Sequence, residues 1–193
     1  MRPAGGTFLG TFLSLCLSLL LAAGCGGGTG GEAVPVEGEP RAAEARAIPM
    51  QTLAQGTASE YGRFDHQNQE DEAPECVVIG GDEELQNLLY LAGLQLPERD
   101  VDFERYLVLA AMQGAKNSAG YAISIARAEQ LGGEVRVEVE VSEPEEGAFT
   151  AQVLTSPYHL VLVERGAFDP RGELVFVFTD NHGRTLARSS TEV

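Results

Sequence analysis

Three histidines, His66, His159 and His182, are the side chains best suited to exchange protons near neutral pH. They lie far apart in the chain, in a polar loop, a strand pattern and a turn pattern. Ser156 precedes His159 by three residues, but side chains three apart on a strand point to opposite faces unless Pro157 creates a bulge. No serine hydrolase, zinc protease, phosphate-binding or dinucleotide-binding motif occurs. We therefore predict no catalytic residues and a protein that is not an enzyme.

Metal-binding patterns are also missing from the sequence. The acidic run over residues 65–72 superficially resembles a calcium loop, but it lacks the required Asp/Asn spacing and glycine. Cys76 is the only cysteine in the part that is expected to fold, so it has no partner there for a disulfide or a Cys-x-x-Cys zinc site. Because Cys76 opens an apolar run, we expect a buried, unreactive thiol. The sequence predicts no metal and no cofactor.

Two short polar segments remain as candidates for contact with a protein partner. The first is the 116–121 loop, Lys-Asn-Ser-Ala-Gly-Tyr, and the second is 154–159, Leu-Thr-Ser-Pro-Tyr-His. Each contains a tyrosine, which supplies contact area at a low entropic cost. The sequence leaves open the alternative that the glycine and proline shape the backbone while the tyrosines pack inward. The predicted partner-binding residues are Asn117, Gly120, Tyr121, Ser156, Pro157 and Tyr158.

The charge of the chain restricts the classes of partner. It has 13 Lys and Arg residues against 29 Asp and Glu residues, a formal net charge of -16 at pH 7. Such a chain cannot neutralise phosphates, which excludes nucleic acid as a partner. It also lacks a basic patch for an anionic membrane surface. The acidity is explained by solubility, with attraction to a basic partner as the alternative.

The N-terminal segment predicts export. Arg2, an uncharged apolar run over 8–21 and three small residues follow the plan of a secretory signal peptide over residues 1–24. The sequence 21–25, Leu-Ala-Ala-Gly-Cys, resembles a bacterial lipobox. The resemblance implies lipid attachment to Cys25, which anchors the protein to the cell envelope membrane with its domain outside the cytoplasm. The alternative is an ordinary cleaved signal in which Cys25 is incidental.

Residues 25–60 are predicted to form a flexible tether. Gly, Glu, Ala and Pro dominate this stretch, and it contains no aromatic residue. Such a composition buries too little apolar surface to offset the entropy lost on ordering. The single globular domain is accordingly predicted over residues 61–193.

The first half of this domain is predicted to contain one helix between two buried strands. Residues 76–79 and 106–112 are apolar runs of strand length. Between them, Asp82 is predicted to be the N-cap of an amphipathic helix that Gly93 ends.

The second half is predicted to be all strand. Valines at alternate positions over 135–141 predict a half-exposed strand, which forms an antiparallel hairpin with the strand near 121–125. Further strands are predicted at 149–154, 158–163, 174–178 and 185–187. The predicted fold class is α+β, a mostly antiparallel curved sheet or small sandwich with one amphipathic helix.

The two candidate segments also carry a family resemblance. Ala119-Gly120-Tyr121, Gln152 and the stretch 154–159 make residues 75–165 similar to the C-terminal domain of the PrcB family. Members of that family are protease complex subunits and typically bacterial lipoproteins. They commonly have Gly-Gly-Tyr where this chain has Ala119, and often a tryptophan in the helix. The resemblance implies a non-catalytic accessory lipoprotein that binds or stabilises a cell-surface protease.

Two further hypotheses stay open. Residues 117–121 resemble the Asn-Pro-Thr-Thr-Gly-Tyr loop of chagasin-like cysteine protease inhibitors, although the other two loop motifs of those inhibitors are not found. That resemblance implies a protease inhibitor that uses the 116–121 loop. The other hypothesis is a structural envelope lipoprotein with no link to a protease.

Overall fold

The computed structural model describes residues 44–62, 73–96 and 100–193. The predicted signal peptide 1–24, the lipid attachment site Cys25, the first part of the predicted tether and the acidic run 65–72 lie outside the described residues. In chain order the elements are β1 (Arg46–Ile48), β2 (Met50–Gly56), β3 (Glu75–Ile79), α1 (Asp82–Ala92), β4 (Tyr106–Met112), β5 (Ala122–Leu131), β6 (Glu134–Ser142), β7 (Tyr158–Glu164), a 3₁₀ turn (Arg165–Ala167), β8 (Glu173–Asp180) and β9 (Thr185–Glu192).

The described strands form two sheets. One has five strands in the order β1-β5-β6-β8-β9, and the other has four in the order β2-β7-β4-β3. The strand pairs are antiparallel except for the parallel pair β6 and β8. The predicted mostly antiparallel arrangement with one helix is confirmed, and so is the hairpin of β5 and β6.

The main apolar cluster contains side chains from both sheets. Alternate valines of β6 and alternate phenylalanines of β8 contribute from one sheet, and alternate leucines of β4 contribute from the other. The opposite face of β4 packs with α1 in a second cluster, where Leu85 and Leu89 meet Val108 and Ala110. Strand β4 is therefore buried on both faces, as its continuous apolar sequence predicts.

The N-cap of helix α1 lies one residue before its predicted position at Asp82. Gly81 is the N-cap, and its neighbour Gly80 donates its backbone N–H to the Glu84 carboxylate at 2.9 Å. Asp82 is instead the first helical residue, where its negative charge favours the N-terminal end of the helix dipole. Gly93 ends the helix in the left-handed conformation with φ 61°, as predicted.

The predicted tether boundary at residue 60 is wrong. Strands β1 and β2 lie within that stretch; β1 pairs with β5 and β2 pairs with β7. An edge strand is held largely by its backbone hydrogen bonds and needs few apolar side chains. Because residues 46–56 contain few large apolar side chains, their composition resembles that of a flexible segment although they form strands.

The predicted strand over 149–154 is also wrong, because these residues belong to no strand. The following strand, β7, already has β2 on one side and β4 on the other, which leaves no free edge beside it. Among the described residues, no helix is long and apolar enough to cross a membrane.

Candidate partner-binding surface

The two predicted partner-binding segments lie at the same end of the molecule, which we call the loop end. Here β2, β4, β6 and β8 finish and β3, β5, β7 and β9 begin. Side-chain hydrogen bonds from one sheet to the other, such as that from Gln113 Nε2 to the Ser142 carbonyl at 3.4 Å, join the sheets at this end. The loop end therefore brings together chain segments that are distant in sequence.

Backbone hydrogen bonds hold the two segments against each other. Lys116 and Thr155 exchange both of their backbone hydrogen bonds, at 2.7 and 2.8 Å. The Thr155 hydroxyl donates to the Ser118 carbonyl at 3.0 Å, and Ala119 N–H donates to the Ala151 carbonyl at 3.0 Å. The structure thus combines the 116–121 loop and the end of the irregular 143–157 segment into one surface.

Ser156 and Pro157 lie beneath this surface. Ser156 is fully buried; its hydroxyl donates to the Tyr61 carbonyl at 2.9 Å and accepts from the Ser59 hydroxyl at 2.7 Å. Pro157 is also buried, and its carbonyl accepts a hydrogen bond from Gln113 N–H at 2.9 Å. The prediction that Ser156 and Pro157 contact a partner is therefore wrong, because both are buried and form hydrogen bonds with other parts of the same chain.

The residues of the 116–121 loop divide between exposure and backbone shaping. Asn117 is exposed and Tyr121 is half-buried, with the Lys116 ammonium 5.5 Å from the centre of its ring. Gly120 has φ 100°, and a Cβ added there would lie 3.0 Å from Cγ of Pro144. Glycine is therefore required at position 120 by both its backbone conformation and its close packing.

Tyr158 is half-buried against an edge strand. It pairs with Gly56 of β2, and a Cβ added at Gly56 would lie 3.0 Å from the Tyr158 hydroxyl oxygen. The inward-packing alternative therefore describes Tyr158 better than a role as a freely exposed contact residue. Of the six predicted contact residues, Asn117 and Gly120 are exposed, Tyr121 and Tyr158 are half-buried, and Ser156 and Pro157 are buried.

His159, to which the sequence analysis assigned no functional role, connects the two sheets. Its Nδ1 accepts a hydrogen bond from Ile125 N–H at 2.8 Å, and its Nε2 lies 3.0 Å from Thr52 Oγ1. Burial lowers the pKa of His159 from its ordinary value of 6.5, so the ring is held neutral at pH 7. A catalytic partnership with Ser156 does not form, since the hydroxyl and the ring bind different groups.

Exposed apolar side chains mark a part of the loop end that was predicted to be a paired strand. Phe149 is completely exposed, and 49% of Val153 and 46% of Leu154 are exposed. We call residues 149–154 the apolar segment. Three carboxylates, Glu143, Glu145 and Glu146, precede it on the same exposed stretch. Apolar side chains gathered in this way are typical of a protein-binding surface.

The remaining chemistry of the described residues is sparse. No group of three His, Cys, Asp or Glu side chains within the described residues is arranged to hold a metal ion. Burial, with a smaller contribution from the Glu75 charge, raises the pKa of the Cys76 thiol to about 12. Cys76 is thus buried, as its apolar surroundings predict, and its raised pKa disfavours the reactive thiolate.

A mostly β fold whose exposed loops are gathered at one end is a scaffold suited to binding a protein. The family model described as PrcB C-terminal matches residues 107–164, which supports the resemblance to that domain found in the sequence. The match spans β4 to β7 and contains both candidate segments. It indicates a role associated with a protease complex. Neither the curated proteins nor the solved structures gave a match to the chain.

Proposed function

We propose that this protein is an exported, lipid-anchored accessory subunit that binds and stabilises a cell-surface protease without catalysing a reaction itself. The observation that carries the proposal is the PrcB C-terminal match, which includes both surface segments of the loop end. The two sheets of the protein, which share an apolar cluster, would form a small sandwich that presents those segments to the protease.

The anchor is proposed to be a lipid on Cys25. The support for it is the lipobox-like sequence after an apolar run. Labelled palmitate should be incorporated into the wild-type protein and not into the Cys25→Ser variant. Equal incorporation into both proteins, or into neither, would contradict lipidation at this cysteine.

Binding to a protease is tested by affinity capture of the full-length tagged chain from its own cells. We expect a protease to be enriched over an unrelated lipoprotein that carries the same tag. The amount of the captured protease should also fall faster in cells that lack this protein, because an accessory subunit stabilises its partner by mass action. If no protease is enriched, the proposed function is wrong.

The same purified chain separates stabilisation from inhibition. Titration into papain-like and subtilisin-like proteases should leave their rates unchanged if the chain is an accessory subunit. Loss of activity at a stoichiometric concentration would instead support the inhibitor hypothesis, and loss of envelope integrity with normal proteolysis would support the structural one.

A further inference from the structure

The apolar segment is the most unusual exposed feature of the described residues. Six large apolar side chains among them are exposed, and three of these, Phe149, Val153 and Leu154, lie within this one segment. The others, Tyr90, Leu91 and Leu131, lie on α1 and at the end of β5. The clustering is local, so a partner could cover all three side chains with one short stretch of chain.

The backbone of the apolar segment carries unpaired hydrogen-bonding groups. Ala151 accepts hydrogen bonds from Ala119 and Val153, which fixes the segment at its centre. Among the described residues, no protein group accepts a hydrogen bond from the backbone N–H of Phe149, Thr150, Gln152 or Leu154. Polar backbone groups beside exposed apolar side chains are what an extended peptide recognises when it binds by backbone pairing.

The charge around the apolar segment selects the partner's chemistry. Residues 143–157 contain three carboxylates and no basic residue. Within the part of the chain that the structure describes, none of Glu143, Glu145 and Glu146 forms an ion pair. Glu143 also lines a surface cavity of about 500 Å³ together with Asp180, His182 and Arg184, and in this cavity Arg184 pairs with Asp180 and leaves Glu143 as the carboxylate without an ion pair among the described residues. A partner with lysine or arginine side chains matches this surface.

The same charges disfavour three other occupants. A second copy of the chain would bring a second set of carboxylates and a further net charge of -16. The chain's own segment 26–40 contains Glu32, Glu37 and Glu39 and no basic residue, so it would be repelled as well. Anionic lipid headgroups would also be repelled by the acidic rim.

We infer that the apolar segment is the docking surface for an extended segment of a partner protein in which basic side chains stand next to apolar ones. The partner's apolar side chains cover Phe149, Val153 and Leu154, and its backbone pairs with the free N–H groups. Its basic side chains meet Glu143, Glu145 and Glu146. This inference rests on the proposed function, in which the partner is a protein of a protease complex.

The test uses a defined probe, a fluorescent synthetic peptide of about ten alternating lysine and valine residues, with Lys–Ser and Glu–Val peptides as controls. Binding to the full-length chain in a non-ionic detergent is followed by fluorescence anisotropy. The Lys–Val peptide should bind about tenfold more tightly than either control, since it alone combines both features.

Two pairs of variants locate the binding. Phe149→Ser/Leu154→Ser should weaken binding of the Lys–Val peptide about tenfold, as the loss of an aromatic anchor does. Tyr90→Ser/Leu91→Ser removes an equally exposed apolar pair on α1 and should leave binding unchanged. Glu143→Lys/Glu145→Lys/Glu146→Lys should also abolish the preference for the basic peptide. Glu44→Lys/Asp100→Lys/Glu104→Lys makes the same change in net charge elsewhere and should not.

The outcomes distinguish this inference from the proposed function. Equal weakening by the two serine pairs, or equal binding of all three peptides, would overturn the docking surface. If a protease is captured from cells equally well by Phe149→Ser/Leu154→Ser, the proposed function stands and the docking surface is wrong. If the peptide binds as expected but no protease is captured, the chemistry of the surface is supported and the proposed partner is wrong.

Discussion

At the scale of single residues, His159 joins the two sheets through hydrogen bonds that determine its protonation. Because Ile125 N–H donates to Nδ1, that nitrogen carries no proton, and Nε2 donates to the Thr52 hydroxyl. Protonation would place a hydrogen on Nδ1, which would then face the Ile125 N–H hydrogen and could no longer accept that hydrogen bond. The ring is therefore a hydrogen-bonding link between β7 and β5 that works only in its neutral form.

We predict that this link weakens in acid. The pKa of His159 in the folded protein lies below its ordinary value of 6.5, so the unfolded chain binds the proton first as the pH falls. The free energy of unfolding should be constant above that value and decrease as the pH falls from 6.5 towards the folded pKa. Urea denaturation between about pH 5.5 and 8, where carboxylates stay ionised, measures the slope.

Variants of His159 assign the slope to this ring. His159→Asn keeps an acceptor for the Ile125 N–H and should flatten the pH dependence at a small cost in stability. His159→Ala leaves that buried donor unpaired and should cost about 1–3 kcal/mol at pH 8. If the pH dependence of the unfolding free energy were unchanged in His159→Asn and lost in the exposed variant His182→Asn, it would belong to His182 and the prediction for His159 would be wrong.

Residue types predicted part of the candidate surface and missed the rest. Gly120 was recognisable because a glycine before a tyrosine in a polar loop predicts a special backbone conformation, and its φ is 100°. Ser156 was not recognisable as buried, since its partners Ser59 and Tyr61 are distant in sequence and lie in or beside the predicted tether. Hydrogen bonds of this kind leave no periodic signal in the sequence.

At the scale of elements, strands with a side-chain pattern were predicted well. Strands β4 and β6 follow from a continuous apolar run and from alternating valines, and both lie where they were predicted. The predictions for strand β2 and for the apolar segment failed in opposite ways. β2 lacks a strong pattern yet pairs along β7, whereas the apolar segment has a strand-like pattern but belongs to no strand, and both sides of the neighbouring β7 are already occupied. Pairing depends on which edges the rest of the fold leaves open.

The corrected boundary predicts how far the chain can be shortened. A chain of residues 44–193 should melt cooperatively at the temperature of the full-length chain, because it keeps β1 and β2. A chain of residues 57–193 loses buried Ile48 and the Thr52 partner of His159. It should melt at least about 10 °C lower, since each kcal/mol is worth about 2–4 °C in a protein of this size.

Calorimetry or circular dichroism of the two chains measures this difference. A chain of residues 61–193, which begins at the boundary predicted from composition, serves as a comparison and should be no more stable than 57–193. Equal melting temperatures for all three chains would mean that β1 and β2 contribute nothing to the folded unit.

At the scale of the whole molecule, Cys76 reports on opening of the core. It belongs to the cluster shared by the two sheets, and burial raises the pKa of its thiol to about 12. We predict that Cys76 in a Cys16→Ser/Cys25→Ser chain reacts with a thiol reagent at least about a hundredfold more slowly than in denaturant. Labelling followed by mass spectrometry measures the rate. Equal rates in the folded and denatured chains would contradict the burial of this thiol.

The position of β1 and β2 also determines how the domain bears force. The chain enters β1 at Arg46, opposite Gln130, which is the end of the sheet farthest from the loop end. In the proposed anchored protein, the membrane therefore pulls on β1 and, through it, on the start of β2, while the partner pulls through the apolar segment on the start of β7. Because β2 and β7 are antiparallel, these two pulls act along the strands in opposite directions. Their hydrogen bonds must then break together in shear, so the attachment of the domain to its partner gains mechanical strength from the strand that composition assigned to the tether.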